Sequence, residues 1–136
     1  MRYSTKIAIV IRDDLATWQR LNVTAYLASA VAAGRPEVIG EPYQDGSGND
    51  YLAMFRQPVL VYQATADALA RAHGRALGRE LPVAVFTEDL FATNNDWDNR
   101  ATVRAVPVEK LPLVGIAVYG ARNVVDKTLD GLRLHP

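Results

Sequence analysis

Residues 6–14 read Lys6-Ile7-Ala8-Ile9-Val10-Ile11-Arg12-Asp13-Asp14. The apolar run is rich in β-branched residues and does not alternate with polar ones. It therefore predicts a strand buried on both faces, as in a parallel sheet under helices. It stops at one cation and two carboxylates, which places charge at the carboxyl end of the strand. Three other stretches read the same way. Pro58 opens Val59-Leu60-Val61-Tyr62, and Pro82 opens Val83-Ala84-Val85-Phe86, proline being tolerated at a strand's first residue. Leu113 to Tyr119 is the fourth, broken by Gly120.

Helical signals lie between these runs. Val23 to Ala33 is predicted helical, with Asn22 as N-cap, Gly34 at C′ and Pro36 just beyond. Its small residues, Ala25, Ala28, Ser29 and Ala30 among them, suit close packing on a sheet. Leu15 to Leu21 reads equally as a loop or as an earlier helical turn anchored by Trp18. Thr65 caps a second helix running to about Glu80, with Leu69, Ala72, His73, Ala76 and Leu77 on one face. A last helix runs from about Arg122 to Leu132. Val38 to Met54 predicts a hairpin turning at Asp45-Gly46-Ser47-Gly48-Asn49. Thr93 to Arg100 reads as a polar loop carrying Trp97, either a lid over a strand-end cleft or a surface loop whose tryptophan packs down. Strands alternating with helices predict an α/β fold in a single domain.

Composition narrows the function. The 136 residues suit one core, with 49% hydrophobic and 22% charged residues. The absence of cysteine excludes disulfides, a thiolate nucleophile and sulfur-ligated zinc. Zero formal net charge argues against broad phosphate binding. The apolar run at 7–11 is too short for a signal peptide and no stretch is long enough to span a membrane, so a cytoplasmic protein is expected. His73 is the only internal histidine and reads as a core-boundary residue. Arg71, Arg75 and Arg79 form a stripe best read as a solvated helix face. No P-loop or dinucleotide fingerprint occurs, and the turn at Asp45 fails as a calcium loop because Asp50 and Arg56 stand where glycine and glutamate are needed.

The ordered set Lys6–Leu15, Leu81–Asp89, Val114–Ala117 and Val124–Leu134 resembles the type II peptidyl-tRNA hydrolase superfamily, in particular an uncharacterised bacterial branch. The resemblance implies three α/β/α layers around a mixed, mostly parallel sheet of about four strands, with the hairpin inserted. It also implies a homodimer. Its functional positions carry over unevenly. The family's lysine falls at or beside Asn22, with Arg20 the nearby cation. Its aspartate falls on Glu88, with Asp89 next, and its threonine falls near Thr93.

The strand ends carry the sharpest expectation. If the first and third strands are parallel, Asp13, Asp14, Glu88 and Asp89 share one sheet edge with Arg12 and Arg20, where ligands of open α/β sheets bind. Crowded carboxylates raise one another's pKa, which suits a general acid or base. The competing reading makes them caps of helical turns. Three functions follow. In the first, the protein hydrolyses an acyl-nucleotide ester without metal or organic cofactor, its ligand being tRNA or a nucleotide ester. Glu88 or Asp89 orients or deprotonates water, Arg20 stabilises negative charge and Thr93 positions the substrate, which also meets Arg12, Asp13, Asp14, Asn22 and Asn94. Weak or no peptidyl-tRNA turnover is expected, because asparagine stands at the lysine position. In the second, the domain binds or regulates and has lost the chemistry. In the third, it acts on a smaller substrate at the same edge.

Overall fold

The computed structural model describes residues 2–136. Thr5–Arg12 forms β1, and its buried pattern is unbroken from Lys6 to Ile11. Thr17–Gly34 forms α1, Tyr43–Gln44 and Asp50–Tyr51 form β2 and β3, and Val59–Ala64 forms β4. Ala66–Gly78 is α2, Val83–Thr87 is β5, Asp96–Arg104 is α3 and Leu113–Ala121 is β6. Arg122–Thr128 is α4 and Arg133–Leu134 is β7. Single 3₁₀ turns occupy Pro36–Val38, Glu88–Ala92 and Val108–Lys110.

The main sheet has five strands in the order β5-β6-β1-β4-β7, with β2 and β3 pairing separately as the expected hairpin. It is mixed, but only β1 and β4 run parallel; the other three pairings are antiparallel. The expected mostly parallel sheet of about four strands is thus corrected. Unbroken apolar runs report burial of both strand faces, not the direction of the neighbouring strand. Ile7, Ile9 and Ile11 share one core cluster with Val23, Leu27 and Val31 of α1. Ala8 and Val10 share another with Leu69, Ala72 and Ala76 of α2 and Val125 of α4.

Several element boundaries differ from the sequence reading. The first helix begins at Thr17, so Asn22 lies inside it and is not a cap. The Ala16 N–H donates to Gln19 Oε1 at 3.0 Å, a start signal with no polar side chain at the cap itself. Ala28 of α1 packs on the core, and the close approach of helix and sheet is aided by Gly115 of β6. A Cβ there would sit 2.7 Å from Val23 Cγ1 and 3.0 Å from Leu27 Cδ1. Thr65 does cap α2, accepting from the Ala68 N–H at 3.1 Å. Leu77, however, turns outward at 47% exposure. The last helix stops at Thr128 and gives way to β7. At the amino end of β1, the buried Lys6 ammonium donates to Tyr62 Oη and Asp126 Oδ1, both at 2.6 Å. That contact ties α4 to β1 and β4.

Candidate functional site

Strands β1 and β5 are not neighbours, yet both run antiparallel to β6 between them. Their carboxyl ends therefore lie on one edge. Arg12 and Glu88, 76 positions apart, meet there: Nη1 reaches Glu88 Oε1 at 2.6 Å and Nε reaches Asp14 Oδ1 at 2.6 Å. Nη1 also donates to the Leu113 carbonyl at 3.2 Å. The Arg12 side chain is 14% exposed, whereas both carboxylates are more than half exposed. Burial pulls the guanidinium pKa down, but hydrogen bonds to Asp14 and Glu88 outweigh it and hold Arg12 above its ordinary value. The Arg12 hydrogen bond holds the Asp14 carboxyl below its ordinary value. The expected raising of crowded carboxylates is corrected for Asp14, because a cation stands between the acids.

Arg20 is engaged elsewhere. Its Nε donates to the Leu15 carbonyl at 2.9 Å and Nη2 to the Asp13 carbonyl at 2.8 Å. Nη1 lies 3.1 Å from His135 Nε2. Arginine can only donate, so His135 Nε2 must accept, which leaves Nδ1–H facing the Pro136 carbonyl at 3.1 Å. Arg20 thus closes the turn before α1 and pins the tail. The carboxylates of Asp13 and Asp89 are exposed. Neither Asp13 nor Asp14 caps α1, whose N-cap is Ala16. Glu88 and Asp89 begin the 3₁₀ turn that follows β5.

A cleft of about 380 Å³ opens between α1 and the segment 86–99. Trp18, Asn22 and Tyr26 line it from α1, at the four-residue spacing of one helix face. Phe86, Leu90 and Phe91 form its floor, and Thr93, Asn94, Asn95, Asp96 and Asn99 its far wall. The aromatic rings form one connected series. Trp18 meets Phe91 at 5.7 Å and 70°, Phe91 meets Phe86 at 5.1 Å, and Phe86 meets Tyr26 at 5.6 Å and 72°. The Trp18–Phe91 and Tyr26–Phe86 contacts are edge-to-face and the Phe86–Phe91 contact is tilted at 50°; such contacts are favourable and hold the exposed rings in place. On the far wall, Asn95 Oδ1 caps α3 by accepting from the Asp98 N–H at 2.8 Å. The Thr93 hydroxyl donates to the Leu90 carbonyl at 3.0 Å and also touches the Asn99 carboxamide. Asp96 pairs with Arg100 one helical turn on.

The nine residues singled out from the sequence therefore divide. Asn22, Thr93 and Asn94 line the cleft. Arg12, Asp14 and Glu88 form the ion triad, Arg20 holds the Asp13 carbonyl, and Asp89 joins neither group. The expected polar loop at 93–100 is largely α3, and Trp97 on it is 76% exposed, so it neither packs down nor lines the cleft. The sequence reading missed the aromatic wall. Its signal was the spacing Trp18-Asn22-Tyr26, hidden once the helix was started at Val23.

The model of a family described as proteins of unknown function, DUF2000, matches residues 5–136. The chain is also similar to the solved structure of Atu0240, a protein of unknown function from Agrobacterium tumefaciens. The two are 41% identical, the match covers 99% of this chain and 100% of that one, and the TM-score is 0.97. No curated protein matches the sequence. These findings overturn the resemblance to type II peptidyl-tRNA hydrolases, since the matching family model and the structural neighbour both point elsewhere. The tRNA ligand and the homodimer inferred from that resemblance lose their basis with it. The matching model spans nearly the whole chain, so the protein belongs to the DUF2000 family.

Proposed function

We propose that this protein is a small-molecule-binding domain whose ligand occupies the cleft between α1 and α3. The observation that carries this reading is the separation of charge from cavity. Arg12, Asp14, Glu88 and Arg20 are engaged with one another or with backbone carbonyls, and none lines the cleft. The cleft is instead formed mainly by ordered aromatic rings and carboxamides, its one carboxylate, Asp96, being paired with Arg100. Its volume falls at the lower end of ligand sites, about 300–1,000 Å³. We read the fold as three layers, helix α1 covering one sheet face and α2 with α4 the other, which leaves the strand-end edge as the open place for a ligand.

A second reading, hydrolysis of an acyl-nucleotide ester, draws support from Asn22, Thr93 and Asn94 lining one cleft. It lacks a free base there, because the lining carboxylate, Asp96, pairs with Arg100. Ligand-observed NMR with a fragment library tests the first reading. Hits should vanish in Trp18→Ala and persist in a variant of the distant stripe, Arg71→Ala. Hits indifferent to Trp18 would overturn it. Turnover of aminoacyl-adenosine esters that is lost in Thr93→Val would establish the second reading instead.

A further inference from the structure

Resting on the binding reading, we propose that the cleft is built for an uncharged planar ring bearing both hydrogen-bond donors and acceptors, a nucleobase or pyridine carboxamide, and that it disfavours the anionic counterpart of such a ring. Three observations converge on this class.

The first is the α1 wall. Trp18 and Tyr26 stand two turns apart with Asn22 between them, so the wall runs aromatic, amide, aromatic. The two rings are 61% and 53% exposed, yet each is held by a phenylalanine beneath it. Exposed rings that are already ordered favour stacking by a flat ligand at little further entropic cost.

The second is the hydrogen-bonding capacity left over. A carboxamide offers two donors on nitrogen and an acceptor oxygen. Among the described residues the Asn22 side chain makes no hydrogen bond. Asn94 accepts from Asn95, which leaves the NH₂ group of Asn94 free to donate. A ring rich in carbonyls and ring nitrogens, with at least one N–H for Asn22 Oδ1, complements that set.

The third is charge. Among the described residues no lysine, arginine or histidine lines the cleft, and the one lining carboxylate already has its cation. An anionic ligand would lose hydration, meet Asp96 and find no free positive partner.

The test uses Trp97→Phe protein, in which Trp18 is the sole tryptophan reporter, and three matched probe pairs: uracil and orotate, nicotinamide and nicotinate, adenosine and its 5′-monophosphate. Saturable quenching is expected from at least one neutral member. Its anionic partner should bind about tenfold more weakly, the effect of roughly one uncompensated charge. Toluene, with no hydrogen-bonding group, should not compete. Asn22→Leu should weaken the neutral probe about tenfold, the scale of a lost hydrogen bond to a polar ligand, with an unchanged circular dichroism spectrum. Equal or tighter binding of the anion, or of toluene, would overturn the ligand class while leaving the cleft a binding site. Failure of all six probes would overturn the class too. The fragment screen then decides whether the binding reading survives: Trp18-dependent hits of other chemistry keep it, and none removes it.

Discussion

The carboxyl ends of β1 and β5 carry two adjacent regions made of opposite materials. One is ionic: a nearly buried guanidinium bridging two exposed carboxylates, beside an arginine holding backbone carbonyls. The other is mostly uncharged: four connected rings facing a row of carboxamides, with one carboxylate, Asp96, paired to Arg100. In the ionic region both arginines already hold partners, while the carboxylates stay more than half exposed. The cleft is ordered yet has hydrogen-bonding groups to spare. Charge at a strand end is therefore poor evidence of chemistry until its partners are known. Lys6 makes the same point at the other end of β1, where a buried ammonium serves Tyr62 and Asp126.

The comparison can be broken at its scaffold. Gly115 is where α1 rests on β6, and an added Cβ would also lie 3.2 Å from the Val10 carbonyl oxygen, which cannot swing away. Gly115→Ala should cost about 1–3 kcal/mol, as overpacking does, and lower Tm by roughly 5–10 °C. Because α1 carries Trp18, Asn22 and Tyr26, probe binding should fail with it. The Arg12 triad involves no α1 residue and should survive. A calorimetric Tm within a degree of the unmodified protein would show that helix and sheet have slack at this contact.

Smaller effects separate the two regions. Trp18→Ala should weaken a bound ring by about tenfold, since loss of a stacking partner costs roughly 1–3 kcal/mol, while Tm stays nearly constant because the indole is 61% exposed. Arg12→Gln should do the reverse. It removes the bridge between β1 and the turn after β5, at a cost of about 1 kcal/mol given how exposed the carboxylates are, and leaves probe binding within twofold. If Arg12→Gln abolished binding and Trp18→Ala did not, the assignment of roles would be inverted.

What the sequence made legible follows the same division. The four long strands were readable because their apolar runs are unbroken. Strand direction was not, because burial on both faces looks the same in parallel and antiparallel sheets. The meeting of Arg12 with Glu88 depended on direction, and the shared edge was anticipated through a parallel arrangement that holds in orientation though β6 intervenes. Asn22, Thr93 and Asn94 were found, but as parts of one ionic site. Of the ion pairs that set them apart, Arg12–Glu88 joins residues 76 positions apart, beyond any local pattern. Helix α3 buries no residue fully and so lacks a clear apolar stripe; its readable sign was Asn95 three residues before Asp98. β7, two exposed residues long, has no sequence signal of its own.

The smallest expected effect is in acid, where the ionic region but not the cleft should respond below pH 4. The turn at Asp45 should respond there too, its carboxyl being held well below its ordinary value by hydrogen bonds from Asn49, Tyr51 and Ser47. The folded pKa of Asp14 lies below its ordinary 3.8 because Arg12 donates to it. Its contribution is thus fully present above pH 3.8 and is lost as pH falls through the lower folded value. At 62% side-chain exposure this amounts to about 0.3 kcal/mol, less in high salt. His73 adds a separate slope at higher pH. Burial holds its folded pKa below the ordinary 6.5, so the unfolded chain takes up the proton first and stability falls as pH drops below 6.5. Urea denaturation from pH 7 to pH 3 should therefore show two descending steps. His73→Leu should flatten the upper step, and Arg12→Gln should shrink the lower one, leaving the share that belongs to Asp45. Asn22→Leu, in the cleft, should leave both unchanged. A lower step unchanged in Arg12→Gln would assign it wholly to Asp45 and remove Asp14 from the account of acid stability.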